Sequence, residues 1–304
     1  MACVILSLWA LAFYYAHFCV RLGPTTAGTS ATATASSPWW VVALTFAALT
    51  HLYAGLFVTA HDAIHGAVCR RHRWLNDLLG TACITCYAFF SFRALHNEHW
   101  RHHHWTGRSR ERAALAGAAA AANGGAEKYE EENEQYDPDY PPNDDARLLP
   151  WFAAFMRHYS TPGQYLRTGG AVALLMLLGA PYSNLCLYMC ASAVLAAFQL
   201  FYWGTYRPHR PDAAALKAHA KQVRKEGGAG AAAKSAAVMP WPRARSAPYP
   251  LPLLFAQAYF FNLHYEHHRW PSCPWWDLPR VRREAREVVR VVAEELEAEG
   301  AEPY

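Results

Sequence analysis

His264-Tyr265-Glu266-His267-His268 decides how this chain folds, because it is the last of three histidine clusters that make chemical sense only if they meet. The earlier two are His61 with His65, and His99 with His102 and His103. Helix positions i, i+3 and i+4 share one face, with Cβ atoms roughly 5–6 Å apart, so each cluster presents its imidazoles together. A single zinc takes three or four ligands. These eight imidazoles suit two ions with positions left open, and the expectation is a dinuclear centre. Neutral imidazole serves zinc, copper, iron or nickel alike, so ligand type leaves the metal open. A histidine-rich tract can also sequester metal without a defined site, and a solitary buried histidine is commonly a hydrogen-bonded core residue. Three clusters far apart in sequence argue against both.

Of 304 residues, 53% are hydrophobic and 14% aromatic, while 17% are charged, below the roughly 25% typical of soluble proteins. Mean hydropathy is near zero only because polar segments dilute strongly apolar ones. The net charge of +4, from 28 basic and 24 acidic residues, is too small to imply nucleic acid, and the bases are interleaved with the histidines rather than with an aromatic platform. Cys83 and Cys86 have the CxxC spacing of a redox or zinc pair. Inside the apolar run 78–92 they read instead as small reduced hydrophobes, like the other cysteines.

Residues 3–20 form an apolar run just long enough to cross a bilayer core, which takes roughly 17–25 helical residues. After a small, polar loop at 23–37, Trp39 and Trp40 stand as interfacial anchors before a second run, 41–60, that delivers His61 and His65. The run 75–95 is apolar, yet one crossing would carry the second cluster to the wrong face, so a re-entrant or interfacial segment is expected. Residues 168–206 are apolar but broken by Ala180-Pro181-Tyr182-Ser183-Asn184, a turn signal, and read as a hairpin of two spans. The piece 251–263 is too short to span and would lie at the interface.

The predicted fold is therefore all-α and integral to the membrane, with about four transmembrane helices and the histidines on one face. That face carries Arg70, Arg71, Arg73, Arg101, Arg207, Arg210, Arg280, Arg282 and Arg283, whereas the loops 23–37 and 181–184 have no Lys or Arg. The positive-inside bias puts the metal face on the cytoplasmic or stromal side. A single domain, 1–304, is expected, with low-complexity loop inserts at 110–135 and 211–247. Residues 279–299 read as an amphipathic helix. No secretory signal or transit segment is legible ahead of the first apolar run.

The HxxxH, HxxHH and HxxHH arrangement resembles that of the membrane di-iron desaturases and hydroxylases. A narrower resemblance, to the β-carotene ketolases and particularly the algal ones, rests on longer stretches. These are His61-Asp62-Ala63-Ile64-His65-Gly66, His99-Trp100-Arg101-His102-His103 with Thr106-Gly107, and Asp137-Pro138-Asp139. They continue in Trp203-Gly204-Thr205-Tyr206-Arg207-Pro208-His209-Arg210-Pro211 and in Phe261-Asn262-Leu263-His264-Tyr265-Glu266-His267-His268-Arg269-Trp270-Pro271. The similarity covers most of 38–283 outside the two inserts, of which the first, between Gly107 and Asp137, lengthens a connection that is short in the family and the second follows Pro211.

The resemblance implies oxidation of carbon 4 of a β-ionone ring, by two successive hydroxylations and loss of water to a ketone. β-Carotene would become canthaxanthin through echinenone, and zeaxanthin would become astaxanthin. It implies two iron ions (Fe2+), dioxygen, an external donor such as ferredoxin, a carotenoid drawn from the bilayer, and a plastid (chloroplast) membrane with the site facing the stroma. His209 is a ninth candidate ligand, where this superfamily often places an extra histidine, while His96 and His104 fall outside the pattern. Carboxylates usually orient metal-bound histidines, and Asp62, Asp137, Asp139 and Glu266 are the candidates. Trp100, Trp105, Trp270, Trp275 and Trp276 read as packing rather than substrate contacts. Two competing readings are another membrane di-iron enzyme, a carotenoid hydroxylase or fatty-acyl desaturase, against which 261–279 argues, and a membrane metal transporter or sensor. A transporter should carry ionisable ligands near mid-span, whereas these clusters fall at span ends.

Overall fold

The computed structural model describes residues 1–23, 36–110, 113–114, 117–118, 135–142, 145–210 and 244–298, with no side chains beyond residue 288. The bulk of both expected inserts (111–112, 115–116, 119–134 and 211–243) lies outside the described residues, as does 24–35. Among the described residues all regular structure is helical. In chain order the elements are α1 (Ala2–Phe18), α2 (Trp39–Ile64), α3 (Arg73–Ala88), α4 (Phe92–Trp105), α5 (Leu148–Tyr159) and α6 (Pro162–Leu177). They continue with α7 (Tyr182–His209), α8 (Leu251–Ala258), α9 (His264–Arg269) and α10 (Leu278–Ala298).

Helix α2 is the axis of the molecule. It is apolar along its length, and α1, α3, α7 and α8 all pack on it. Its inner face buries Leu49, Tyr53, Leu56, Val58 and Ile64 completely. Its outer face is equally apolar: Trp39 is 80% exposed and Leu44 64%. Only 39% of the most apolar stretch of α2, and the same share of α7, is buried within the protein. An apolar surface of that extent has lipid, not water, as its solvent.

Helices α2 and α7, with 26 and 28 residues, are long and apolar enough to cross a bilayer. The expected first and third spans are shorter: α1 has 17 residues and α6 has 16. At 1.5 Å per residue they reach about 25 Å, against a hydrocarbon core of roughly 30 Å. The segment expected to be re-entrant is two helices, α3 and α4, bent by 99°. Phe89, left-handed at φ 58°, ends α3. The carbonyls it leaves unpaired are met from α6, where Gln164 Nε2 donates to Ala88 O (2.8 Å) and Arg167 to Phe89 O (2.9 Å). Ser91 then accepts the Ala94 N–H to cap α4.

Two turns of α7, Leu185–Ala191 and Tyr202–Tyr206, are π-helical, a rare geometry often found at functional sites. The second has a local cause. Pro208 cannot donate to the carbonyl four residues back, and its ring crowds that carbonyl, so the widened turn makes room and resets the rotation of His209. At the far end, α8 terminates in two consecutive left-handed residues, Tyr259 (φ 49°) and Phe260 (φ 61°). Such residues cost of order 1–3 kcal/mol each. They are held by stacking of Tyr259 on His51 (4.2 Å between centroids, 17°) and by Asn262 Nδ2, which donates to Leu254 O (3.2 Å). The reversal launches α9 back toward α2 with its histidines inward. The second insert ends earlier than composition suggests: Ala244 and Ala247 are buried, and Ala247 N donates to Asn262 O (2.9 Å).

Candidate metal centre

Four helix ends converge here. His61 lies in the last turn of α2 and His65 caps it; α4 brings His99, His102 and His103, and α9 brings His264, His267 and His268. The end of α7 brings His209, 7% exposed. Their nitrogens sort into two sets. His61, His65, His99 and His267 offer ligand atoms all within 4.8 Å of one another, and so do His102, His209, His264 and His268. Adjoining the first set, His103 Nε2 lies 3.0 Å from both His99 Nε2 and His267 Nε2, while its ring stacks on His268 of the second (4.2 Å, 20°). His96 and His104 belong to neither: His96 bonds Asn97, and His104 Nδ1 donates to Trp100 O.

The spacings test whether cations fit. Nε2 to Nε2 distances are 2.9 Å for His65–His99, 2.9 Å for His209–His264, 3.0 Å for His264–His268 and 3.3 Å for His102–His268. Adjacent ligands at about 2.1 Å from a six-coordinate ion lie about 3.0 Å apart, and about 3.4 Å apart around a tetrahedral one. The observed separations match. Both ring nitrogens of His61 are buried without a hydrogen-bond partner among the described residues, a cost of about 1–3 kcal/mol per group that a cation bound to one of them would offset at that nitrogen. Burial, reinforced by neighbouring imidazoles, pushes His264, His267 and His268 well below the usual histidine range. They are therefore neutral, the form that binds metal.

Of the four carboxylates expected to orient histidines, Asp137 does so most directly. Its Oδ1 accepts from His102 Nδ1 (2.8 Å) and from Asp139 N (2.9 Å), and its Oδ2 accepts from Gly107 N (2.8 Å). At 4% exposure it is no solvated turn. Burial alone would raise its pKa, but His102 and the Gly107 amide outweigh burial and hold it below the usual carboxylate range. Asp139, buried next to that charge, is pushed up. Its Oδ1 accepts from Tyr159 Oη (2.7 Å), and its Oδ2 is 3.7 Å from His102 Nδ1.

Asp62 is 3.7 Å from His61 Nδ1, too far for a hydrogen bond. Its Oδ2 instead accepts the Trp275 N–H (2.7 Å), tying α2 to the segment after α9. Glu266 corrects the expectation outright: it bonds Ser246 and pairs with Arg282 (3.6 Å), and no imidazole is among its partners. Residues i and i+2 of a helix do not face each other, so its place between His264 and His267 turns it away from both.

Beside the histidines lies an apolar cavity of about 60 Å³, several times the space one water needs. His61, His99, His102 and His264 form one side of it. Phe57, Tyr87, Phe155, Tyr159, Phe201 and Phe261 supply its aromatic wall, and none of the five tryptophans read as packing lines it. Single residues of this kind carry no sequence signal that separates them from lipid-facing aromatics. Gly204 marks a close approach in the structure. A Cβ there would overlap Phe261 Cε1 and lie 2.7 Å from its Cδ1, and Phe261 stands edge-on to His61 (4.8 Å, 86°).

Comparison with known proteins agrees with this geometry. The profile of the fatty acid desaturase family matches residues 37–293. The chain is 37% identical over 292 residues to a β-carotene ketolase of Haematococcus lacustris, covering 93% of this chain and 78% of that protein. It is 38% identical over 286 residues to a zeaxanthin 4-ketolase of Chlamydomonas reinhardtii, covering 94% of this chain and 53% of the relative. It is 28% identical over 239 residues to a β-carotene ketolase of a Paracoccus species, covering 78% and 77%. The chain thus spans between about half and about four-fifths of the length of these relatives.

Proposed function

The chain belongs to the fatty acid desaturase family and, within it, to the β-carotene ketolases, and from that premise we propose that it is a carotenoid 4-ketolase. It converts the C4 methylene of a β-ionone ring to a ketone, taking β-carotene through echinenone to canthaxanthin and zeaxanthin to astaxanthin. Each hydroxylation consumes one dioxygen, two electrons and two protons and releases one water; the geminal diol from the second loses water to the ketone. The observation that carries this reading is the meeting of two imidazole sets at the side of one apolar cavity.

His61, His65, His99, His103 and His267 hold one iron, and His102, His209, His264 and His268 the other. Iron bound there supplies the reductive activation of dioxygen that no side chain can provide. The protein's own part is positional. Asp137 keeps the His102 proton on Nδ1, which leaves Nε2 free to ligate. Phe57, Phe201 and Phe261 pack the ring edge against the histidine side and exclude water, and the polyene reaches the cavity from the lipid. Helices α1, α2, α6 and α7 span the membrane, with α3–α4 as a re-entrant hairpin and the arginine-rich histidine face toward the stroma of a plastid. Electrons come from a ferredoxin-type donor. Expression in bacteria that accumulate β-carotene, followed by chromatography and mass spectrometry of the pigments, tests the reading. Each reacted ring should gain one oxygen and lose two hydrogens; oxygen gained without loss of hydrogen would mean a hydroxylase.

A further inference from the structure

The cavity wall is hydrocarbon and histidine with few exceptions, and two of them are bonded to each other. Tyr159 Oη donates to Asp139 Oδ1 (2.7 Å), and both residues line the cavity. Asp139 is 9% exposed and Tyr159 half-buried, and a second hydroxyl, Thr205, lies on the same wall. The remaining hydroxyl, that of Tyr87, already donates to Ala193 O. Asp139 Oδ2 has no hydrogen bond among the described residues, and His102 Nδ1 lies 3.7 Å from it. A carboxylate and a hydroxyl on an otherwise apolar wall need polar partners, so the wall is not built for hydrocarbon alone.

The position of the pair matters as much as its polarity. His102 presents Nε2 toward His268 and Nδ1 toward Asp137 and Asp139. The Asp139–Tyr159 pair therefore stands one imidazole width from the second histidine set. A ring held with one carbon against the histidines puts the substituent of the adjacent carbon beside that pair. We propose that Asp139 and Tyr159 form a subsite for a hydroxyl on the carbon next to the one oxidised, which makes the 3-hydroxylated ring the preferred substrate. This rests on the ketolase reading above. The ring hydroxyl donates to Asp139 Oδ2, and Tyr159 Oη, whose own proton goes to Oδ1, holds the carboxylate in place for it. An unsubstituted ring leaves the carboxylate facing carbon, and sites built to bond a hydroxyl reject the analogue lacking it far more strongly than apolar pockets reject an added one.

The test is a competition in membranes holding zeaxanthin and β-carotene in equal amounts, with each ketone product quantified by chromatography. Both pigments meet the same enzyme molecules, so any loss of folding or of iron cancels in the ratio. The wild type should favour the dihydroxylated pigment, and Tyr159→Phe, which frees the carboxylate that accepts the ring hydroxyl, should move the kcat/KM ratio up to about tenfold toward β-carotene, the lower end of the worth of one hydrogen bond to a charged group. Asp139→Asn, which keeps a carbonyl acceptor, should move it less than Asp139→Ala. An indifferent wild type, or an unchanged ratio in Tyr159→Phe with both pigments still reacting, overturns the subsite alone. Equal slowing of both pigments does so too, and would point to a water path from the outer polar cavity of about 290 Å³ that Asp139 also borders. Failure of the wild type to oxidise either pigment overturns the ketolase reading itself.

Discussion

Replacing Asp137 with Asn probes the second histidine set without touching a candidate ligand. The carboxylate accepts three hydrogen bonds at 2.8, 2.9 and 2.8 Å, from His102 Nδ1, Asp139 N and Gly107 N, and Asn has one oxygen with which to replace two. With the amide nitrogen toward Gly107, a buried N–H meets another donor, a loss of about 1–3 kcal/mol. With the amide flipped, the NH2 faces Asp139 N and His102 Nδ1. The second arrangement favours the wrong His102 tautomer and puts the proton on Nε2, the atom that should ligate. In either arrangement the charge on the acceptor of the His102 bond is gone, and groups in this position are worth about 10–100-fold in metal affinity or activity. Asp137→Asn should therefore purify from membranes with its melting midpoint lowered by a few degrees, with iron per chain reduced, and with ketone formation at or below one-tenth of wild type. Asp137→Ala strands three donors and should fold poorly, which leaves the Asn variant as the informative one. Full iron occupancy together with wild-type turnover in Asp137→Asn would falsify the claim that this carboxylate orients His102.

Glu266→Gln is the counterpart: its side chain bonds Ser246 and pairs with Arg282, so iron content should stay at wild type while thermal stability falls, and loss of iron would refute that placement. Gly204→Ala forces Phe261 away from His61; overpacking of this kind costs about 1–3 kcal/mol, and turnover should drop. Adding Phe261→Leu to Gly204→Ala should recover stability, and strict additivity of the two changes would show that they do not collide. His209→Ala removes one member of the second set and should reduce iron toward one ion per chain with activity down more than about 100-fold, whereas His96→Ala, which lies in neither set, should leave both unchanged.

Much of this architecture was legible because it is periodic. The apolar runs predicted α2 and α7, and Ala180-Pro181-Tyr182-Ser183-Asn184 predicted the break between α6 and α7. The need for three clusters to meet predicted something other than one straight crossing between the first two, and α3 and α4 are bent by 99° there. Illegible were features that depend on contacts distant in sequence. The cavity's aromatics are separated from lipid-facing ones only by which side of a helix faces inward. Asp62 sits beside His61 in sequence, yet its bond reaches across 213 residues to Trp275. The π turn that aims His209 follows from Pro208 only once the helix is known to continue through it.

The division of the histidines between two sets obeys a rule that helix geometry contains. In each cluster the i and i+4 members stay together, and in the two HxxHH clusters the i+3 member crosses over. His61 and His65 share the first set; His99 is joined there by His103, while His102 goes to the second; His264 and His268 share the second, while His267 goes to the first. At 3.6 residues per turn, positions i and i+4 are rotated about 40° from each other, and i+3 lies about 60° to the other side of i. A helix lying between two ions must therefore send i+3 to one and the i, i+4 pair to the other. Helices α4 and α9 do this in opposite senses, so each nitrogen set draws on both helices, and neither set can be completed without the other cluster. The spacing HxxHH is thus the pattern of a helix that serves both nitrogen sets at once, and HxxxH, on α2, that of a helix that serves one. The chain end of α7 supplies His209 to the second set, where α2 contributes nothing, which accounts for a ninth histidine outside all three clusters.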